Sequence, residues 1–318
     1  MALLLGTTKD RLEALLRDRE NYISRRCEEI NGKQRQLAVP TRKLRSIHER
    51  IKYHLNKIKQ PPYLYSPRKG RGQRDNAAVH AGNCHVLRID IRQFYPRTTQ
   101  EDIFRWAYHT AGLADDVAGL FAKLVAVDGK MPFGSPVSPV LTSLVHRPMF
   151  DRVYRLCEEA GLTMSLWVDD LTISGPSISG AFLDQVRCAI REGGFQTHKI
   201  EFLDTARPVV ITGVPIAQQR VLAPLSLHRR IQNEHVTLRA ATSDIERAAS
   251  IDRLLSALGT CRYHLGAATA EGRKIANRMH ALKQRRQKLS ISVVTMPHEP
   301  TVKINRRTTQ DEALPWDA

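Results

Sequence analysis

The sequence has few cysteines and gives no sign of pairing them. Five occur in 318 residues: Cys27, Cys84, Cys157, Cys188 and Cys261. None forms a C-x-x-C pair and the number is odd, which argues against a disulfide framework and against a thiolate zinc site. Reduced thiols in a cytoplasm are the simplest account. Long apolar runs are also lacking. No stretch approaches the roughly 18 uninterrupted apolar residues of a membrane span, so no membrane partner is expected. The short apolar start, Met1 to Gly6, is followed at once by Lys9, Asp10 and Arg11. It is too short for a signal segment and reads as the opening of an amphipathic helix. There is no internal repeat and no long low-complexity segment. Acidic residues are scarce: 32 Asp and Glu stand against 49 Lys and Arg, a formal net charge of +17.

A surplus of that size attracts polyanions and releases their counterions on binding. Nucleic acid is the leading partner; an anionic membrane or no polyanion at all are the other readings of charge alone. Hydrophobic residues at 42% and charged residues at 25% are ordinary for globular chains and exclude wholesale disorder. The length fits two or three lobes.

Apolar residues spaced by three and four predict a helix over Lys9 to Glu29, on the stripe Leu12, Leu15, Leu16 and Ile23. A second runs through Leu44, Ile47, Ile51, Leu55 and Ile58 to about Lys59. Between them Asn31-Gly32 signals a hairpin turn, with Gln36 to Val39 as the return strand and Pro40 as its stop. Pro61-Pro62 breaks the pattern. Ser66 to Asp75, rich in Gly and Arg, reads as an exposed loop. It is either a solvated turn or a phosphate-binding one, because glycine lets backbone amides approach. Val86 to Ile91 is a strand by its β-branched content. Helices are expected over Ile103 to Tyr108, Val117 to Val127, Val140 to Cys157 (despite Pro148) and Phe182 to Glu192, with a loop over Gly129 to Pro139. Val209 to Pro215 and Arg220 to Ala223 read as short strands. From about Ser226 the texture is helical, with basic helices over Ile251 to Leu258 and Arg273 to Leu289. A polar tail follows from Pro297.

Two strands carry an oddity. Asp90 interrupts Leu87-Arg88-Ile89-Asp90-Ile91, and Asp169-Asp170 interrupt Leu166 to Ser174, which reads as a hairpin bent around them. A carboxylate in or beside an apolar core is costly without a cation, and two adjacent ones double the problem. A bound divalent ion resolves it, since magnesium takes carboxylate oxygens and keeps water or phosphate as further ligands. Two such ions activate a 3′-hydroxyl and neutralise leaving pyrophosphate, which is nucleotidyl transfer. The plain alternative is an exposed Asp-Asp turn, as Asp115-Asp116 reads at the start of a helix.

These residues resemble the palm of reverse transcriptases. Asp90-Ile91-Arg92-Gln93-Phe94-Tyr95-Pro96 is similar to the first catalytic motif, with Tyr95 as the ring under the incoming sugar, which implies a preference for deoxynucleotides. Met131 to Pro139, containing Pro132-Phe133-Gly134-Ser135, resembles the Pro-Gln-Gly-x-x-x-Ser-Pro segment, with Phe133 in place of Gln. Trp167-Val168-Asp169-Asp170 resembles the Tyr-x-Asp-Asp hairpin, with Trp167 in place of Tyr. Gly194-Phe195 followed by Lys199 resembles a shortened version of the next palm motif, where a Lys approaches pyrophosphate; an ordinary surface Lys is the alternative, and His198 stands where Asn often does. Asn76-Ala77-Ala78-Val79-His80 resembles the Asn-Ala-x-x-His stretch of retron reverse transcriptases, and Ile211-Thr212-Gly213 their Val-Thr-Gly element. A structural histidine and a simple turn are the alternatives for these last two.

The resemblance, over about residues 30 to 225, implies an α+β right-hand polymerase. Fingers and N-terminal helices occupy residues 1–84, a palm of antiparallel sheet packed by helices residues 85–216, and a basic helical thumb residues 217–318. It implies two magnesium ions, with manganese as a substitute, on Asp90, Ile91, Asp169 and Asp170, and Lys199 as a further catalytic group. Arg68, Arg71, Tyr95, Phe133 and Gly134 are the expected nucleotide contacts. Lys69, Arg74, Asn76, His80, Thr212, Gly213, Arg273, Lys274 and Arg278 are the expected nucleic-acid contacts. The retron resemblance implies a structured noncoding RNA as template and primer, its cDNA, dNTPs, and an effector protein in antiphage defence. Two other readings are a non-retron bacterial reverse transcriptase, in defence or CRISPR-associated, and a nucleic-acid-binding scaffold with a palm fold and weak catalysis.

Overall fold

The structure is a computed structural model that describes residues 4–30 and 32–289. Thr8 caps the first helix (Lys9–Arg17) by accepting a hydrogen bond from the Arg11 amide, and Leu12 and Leu15 bury its apolar stripe. The helix stops at Arg17, earlier than expected. A 3₁₀ turn (Arg19–Tyr22) leads instead into strand β1 (Ile23–Ile30), paired antiparallel with β2 (Lys33–Pro40). The expected helix to Glu29 is therefore corrected. Its predicted stripe thinned after Leu16, and pairing with a strand across a tight turn outweighed weak helical propensity. Asn31 itself lies outside the described residues. The helix Arg42–Leu55 follows, with Leu44, Ile47, His48, Ile51 and Leu55 buried, and it ends before the expected Ile58 and Lys59.

The central sheet has five strands: β3 (Leu64–Ser66), β4 (His85–Ile91), β5 (Thr163–Trp167), β6 (Asp170–Gly175) and β7 (Thr197–Asp204), in the order β3-β5-β6-β4-β7. β6 pairs antiparallel with both β4 and β5, as expected of the palm, and β3 pairs parallel with β5, so the sheet is mixed. A strand of three residues after two prolines has no alternation by which to be foreseen. In β4, Leu87, Ile89 and Ile91 are buried while Arg88 and Asp90 are partly open, the two-residue period of a strand with one core face. That face packs on Phe150 and Val153 of the helix Arg147–Glu159, and on Val186 and Ile190 of the helix Gly180–Glu192.

The helix expected over Val140 to Cys157 is two helices, Ser138–Val145 and Arg147–Glu159. Pro148 sits in the first turn of the second, where a missing N–H costs nothing. Between them His146 donates from Nε2 to Thr98 Oγ1 at 2.9 Å; the Thr98 hydroxyl in turn donates to Phe94 O. His48 is buried between Ser135 Oγ, 2.8 Å from Nδ1, and Leu124 O, 2.9 Å from Nε2. Burial lowers both imidazoles to about 4 from 6.5. As pH falls through 6.5 the unfolded chain takes up these protons and the folded chain does not, so stability drops from pH 6.5 down to about 4. Urea unfolding is expected to lose up to about 3 kcal/mol per histidine across that window, and His48→Asn to flatten the slope. An unfolding free energy unchanged between pH 7.5 and 5 would contradict this account.

The described residues form two compact units, residues 4–71 with 85–203, and residues 72–84 with 204–289. The second holds a three-stranded antiparallel sheet of β8 (Val209–Ile211), β9 (Val214–Ala217) and β10 (Arg220–Val221). The short helix Gln73–Ala78 packs on this sheet. The helices Leu225–Ala240, Asp244–Leu265 and Ala270–Gln287 enclose Leu227, Leu238, Ile251, Leu254, Leu258 and Ile275. Ser243 and Glu246 form a reciprocal cap on the longest of them. All five cysteines carry free thiols. Among the described residues no helix is long and apolar enough to cross a membrane.

Candidate active site

Pairing of β4 with β6 sets Asp90 directly opposite Asp170. Asp169 lies in the two-residue turn between β5 and β6, and its carbonyl accepts the Ile91 amide at 3.2 Å. Val168, the other turn residue, has φ 62°, a conformation that costs a β-branched residue about 1–3 kcal/mol and that glycine normally fills. Its amide donates to Ser66 O at 3.0 Å, which anchors the strained turn to the sheet edge. Sheet register thus brings Asp90 to the adjacent pair Asp169 and Asp170, about 80 residues further along the chain, at one end of neighbouring strands.

Burial pushes the Asp169 carboxyl up to about 6, with the Asp90 charge adding to it and Arg35 opposing. Burial also raises Asp170, against the pull of Arg88. Arg88 lies 3.5 Å from Asp170 and 3.2 Å from Glu201; Lys199 in turn lies 2.8 Å from Glu201. His198 Nδ1 is 3.1 Å from Asp90 Oδ2. Among the described residues no three His, Cys, Asp or Glu side chains are gathered into a ready-made ion cage. The donor set nonetheless fits a hard divalent cation: Asp169 and Asp170, both raised by burial and by the charge of Asp90, together with Asp90 across the sheet are what an oxygen-seeking ion relieves.

The same unit holds a cavity of about 790 Å³ lined by residues that include Arg25, Arg26, Arg35, Asp128, Lys130 and Phe133. The Ala38 amide donates to Phe133 O at 2.9 Å, and Gly134, with φ 98°, backs onto Val39. Tyr95 meets the Phe133 ring edge-on at 5.2 Å, and the Arg35 guanidinium sits 5.1 Å from that ring's centre. Burial, then Asp169, push the Tyr95 hydroxyl well above its ordinary range.

The remaining predicted residues are dispersed. Arg68 donates to Pro61 O at 2.9 Å and so braces its own loop; Arg71 covers the Tyr65 ring at 4.9 Å; Lys69 is exposed. In the second unit Asn76 and His80 have no exposed surface, and Asn76 Nδ2 donates to Thr212 Oγ1 at 3.2 Å. This joins the two short motifs to each other inside the unit. Thr212 and Gly213 form the turn between β8 and β9, both with positive φ. Arg74 donates to His264 O at 3.0 Å. Arg273, Lys274 and Arg278 lie exposed on the helix Ala270–Gln287. Sequence reasoning passed over Arg35, Arg88 and Glu201. Arg88 had a signal: two residues before Asp90, it shares that strand face. The strand β7, which carries His198 and Glu201, had none strong enough to be predicted.

The sheet thus presents carboxylates from two neighbouring strands and their turn, in the same unit as the arginine-lined cavity. The family model described as reverse transcriptase (RNA-dependent DNA polymerase) matches residues 23–216, more than half of the chain. The chain belongs to the reverse transcriptase family. It is 32% identical over 145 residues to the retron Se72 reverse transcriptase of Salmonella heidelberg, covering 45% of this chain and 38% of that one. It is 26% identical over 145 residues to the retron Ec86 reverse transcriptase of Escherichia coli, covering 45% of each. It is 25% identical over 256 residues to the retron Mx65 reverse transcriptase of Myxococcus xanthus, covering 70% of this chain and 59% of that one. The matched segments thus span less than two thirds of each of these relatives.

Proposed function

We propose that this chain is an RNA-directed DNA polymerase of retron type that copies part of a structured noncoding RNA into cDNA. The observation that carries this reading is the juxtaposition of Asp90 and Asp170 across β4 and β6 with Asp169 in the adjoining turn. Asp90, Asp169, Asp170 and the Ile91 carbonyl would hold magnesium, which supplies activation of the attacking 3′-hydroxyl and neutralisation of pyrophosphate. The protein's own part is positioning and charge. Arg35 and the basic cavity side chains face the triphosphate charge, and Tyr95 packs under the sugar. Lys199 is the family-implied partner of the leaving pyrophosphate. Residues 1–84 serve as fingers, 85–216 as palm and 217–318 as thumb, a division by role that differs from the two compact units. Arg273, Lys274 and Arg278 contact the duplex backbone, and Lys69 the template. The basic surplus supports backbone binding without sequence reading. A role in antiphage defence with an effector protein follows from the retron resemblance.

The test is primer extension on an RNA template with dNTPs and magnesium, together with sequencing of nucleic acid that copurifies with the chain. Extension on RNA and recovery of one structured RNA joined to DNA are the expected results. Extension with only heterogeneous RNA recovered would keep the polymerase and reject the retron assignment.

A further inference from the structure

The resemblance accounts for a Gln at the position of Phe133, so the contacts of the phenyl ring are this chain's own. The ring touches two groups from different elements. Arg35, on β2, places its guanidinium 5.1 Å from the ring centre. Tyr95, on the short helix Phe94–Arg97, stands edge-on at 5.2 Å and 84°. The backbone of Phe133 is itself fixed to β2, because its carbonyl accepts the Ala38 amide at 2.9 Å. Its neighbours are fixed as well: Ser138 Oγ donates to Pro132 O at 2.7 Å, and Ser135 Oγ bonds buried His48. The ring therefore sits on a loop tied to β2, between the Arg35 guanidinium and the Tyr95 ring. A guanidinium over a π-face is held electrostatically and in a defined orientation, which a long, otherwise free side chain lacks.

We propose that Phe133 is a specificity-determining positioning residue: its ring holds Arg35 toward the incoming triphosphate and buttresses Tyr95 against the sugar. This rests on the polymerase reading of the site. The ring touches no reacting atom. It acts through Arg35 on nucleotide affinity and through Tyr95 on the choice between deoxyribose and ribose.

The experiment compares wild type, Phe133→Leu and Phe133→Tyr in steady-state extension with dNTPs and with rNTPs, with fluorescence titration of a dNTP analogue and thermal melting alongside. Leucine keeps apolar bulk and removes the π-face; tyrosine keeps it. Phe133→Leu is expected to raise the dNTP KM about threefold to tenfold with kcat nearly unchanged, and to lower dNTP-over-rNTP selectivity, while Phe133→Tyr stays near wild type. Arg35→Gln is expected to raise KM less in the Phe133→Leu background than in wild type, the signature of a shared interaction. A folded Phe133→Leu chain with wild-type KM and selectivity overturns the proposal and leaves the polymerase reading intact. A wild-type chain that neither binds nor incorporates dNTPs overturns both.

Discussion

Asp169→Asn combined with Asp170→Asn is expected to abolish DNA synthesis, by on the order of 10³-fold or more, the scale reached when a principal charge-stabilising group is lost. The same double variant is expected to melt no lower than wild type. The two results have one cause. The carboxylates at the ends of β4 and β6 are a liability to the fold: Asp169 is pushed up to about 6 by burial and by Asp90, and Asp170 is raised as well. Asparagine keeps the shape, removes two like charges and leaves Arg88 its contact with Glu201 at 3.2 Å. A site whose charges strain the protein and serve only the chemistry gives a stable, inactive variant. Primer extension beside a thermal melt checks this. Retained synthesis would remove these aspartates from the chemistry; a large fall in melting temperature would mean that they hold the fold instead.

The parts of the fold legible in the sequence were those with strong local signals. The strand through Asp90, the Asp169-Asp170 hairpin, the helix Arg42–Leu55 and the helix Gly180–Glu192 each carried a clear period or a bounded apolar run. The errors fell where partners outside the segment decide. Ile23 to Ile30 is polar enough to pass for the end of a helix, and becomes a strand only because Lys33 to Pro40 folds back on it. Thr197 to Asp204 breaks strict alternation, with three polar residues at its start and Phe202 beside Leu203, and its place beside β4 comes from the sheet. The carboxylates stood out because two apolar strands, one at Asp90 and one at Asp169-Asp170, are interrupted in the same way in a strongly basic chain. Arg35 was not: an arginine in a basic hairpin is ordinary until the chain folds and sets it over Phe133.

Burial also gives the two short motifs a physical reading. Asn76 and Thr212 are hydrogen-bonded inside one unit, and His80 has no exposed surface. Their sequence signature therefore reports how residues 72–84 are fastened to the turn between β8 and β9. Arg273, Lys274 and Arg278, by contrast, lie exposed on the last helix of that unit. A buried amide and a buried imidazole are intolerant of change for the same reason as a core residue, since a lost partner leaves a polar group unsatisfied.

Gly134→Ala is the substitution expected to damage the site most without touching a charge. A Cβ at this position would lie 2.7 Å from Val39 Cγ2, and the backbone has φ 98°. The left-handed backbone costs alanine about 1–3 kcal/mol. Overpacking against a β-branched side chain with a stiff χ1 adds about 1–3 kcal/mol. The least costly relaxation moves the loop off β2, which breaks the 2.9 Å bond from the Ala38 amide to Phe133 O and carries the ring away from Arg35. Gly134→Ala is therefore expected to lower the melting temperature by several degrees and to raise the dNTP KM together. Adding Val39→Ala removes the clash and not the backbone strain, so the pair is expected to recover part of the stability and most of the affinity. Calorimetry with extension kinetics on the single and double variants separates the two contributions. If Val39→Ala restores neither, the strain sits in the backbone alone and the junction between β2 and the Phe133 loop does not control nucleotide affinity. If it restores affinity ahead of stability, the close approach at Gly134 is what keeps the aromatic face in register with the arginine.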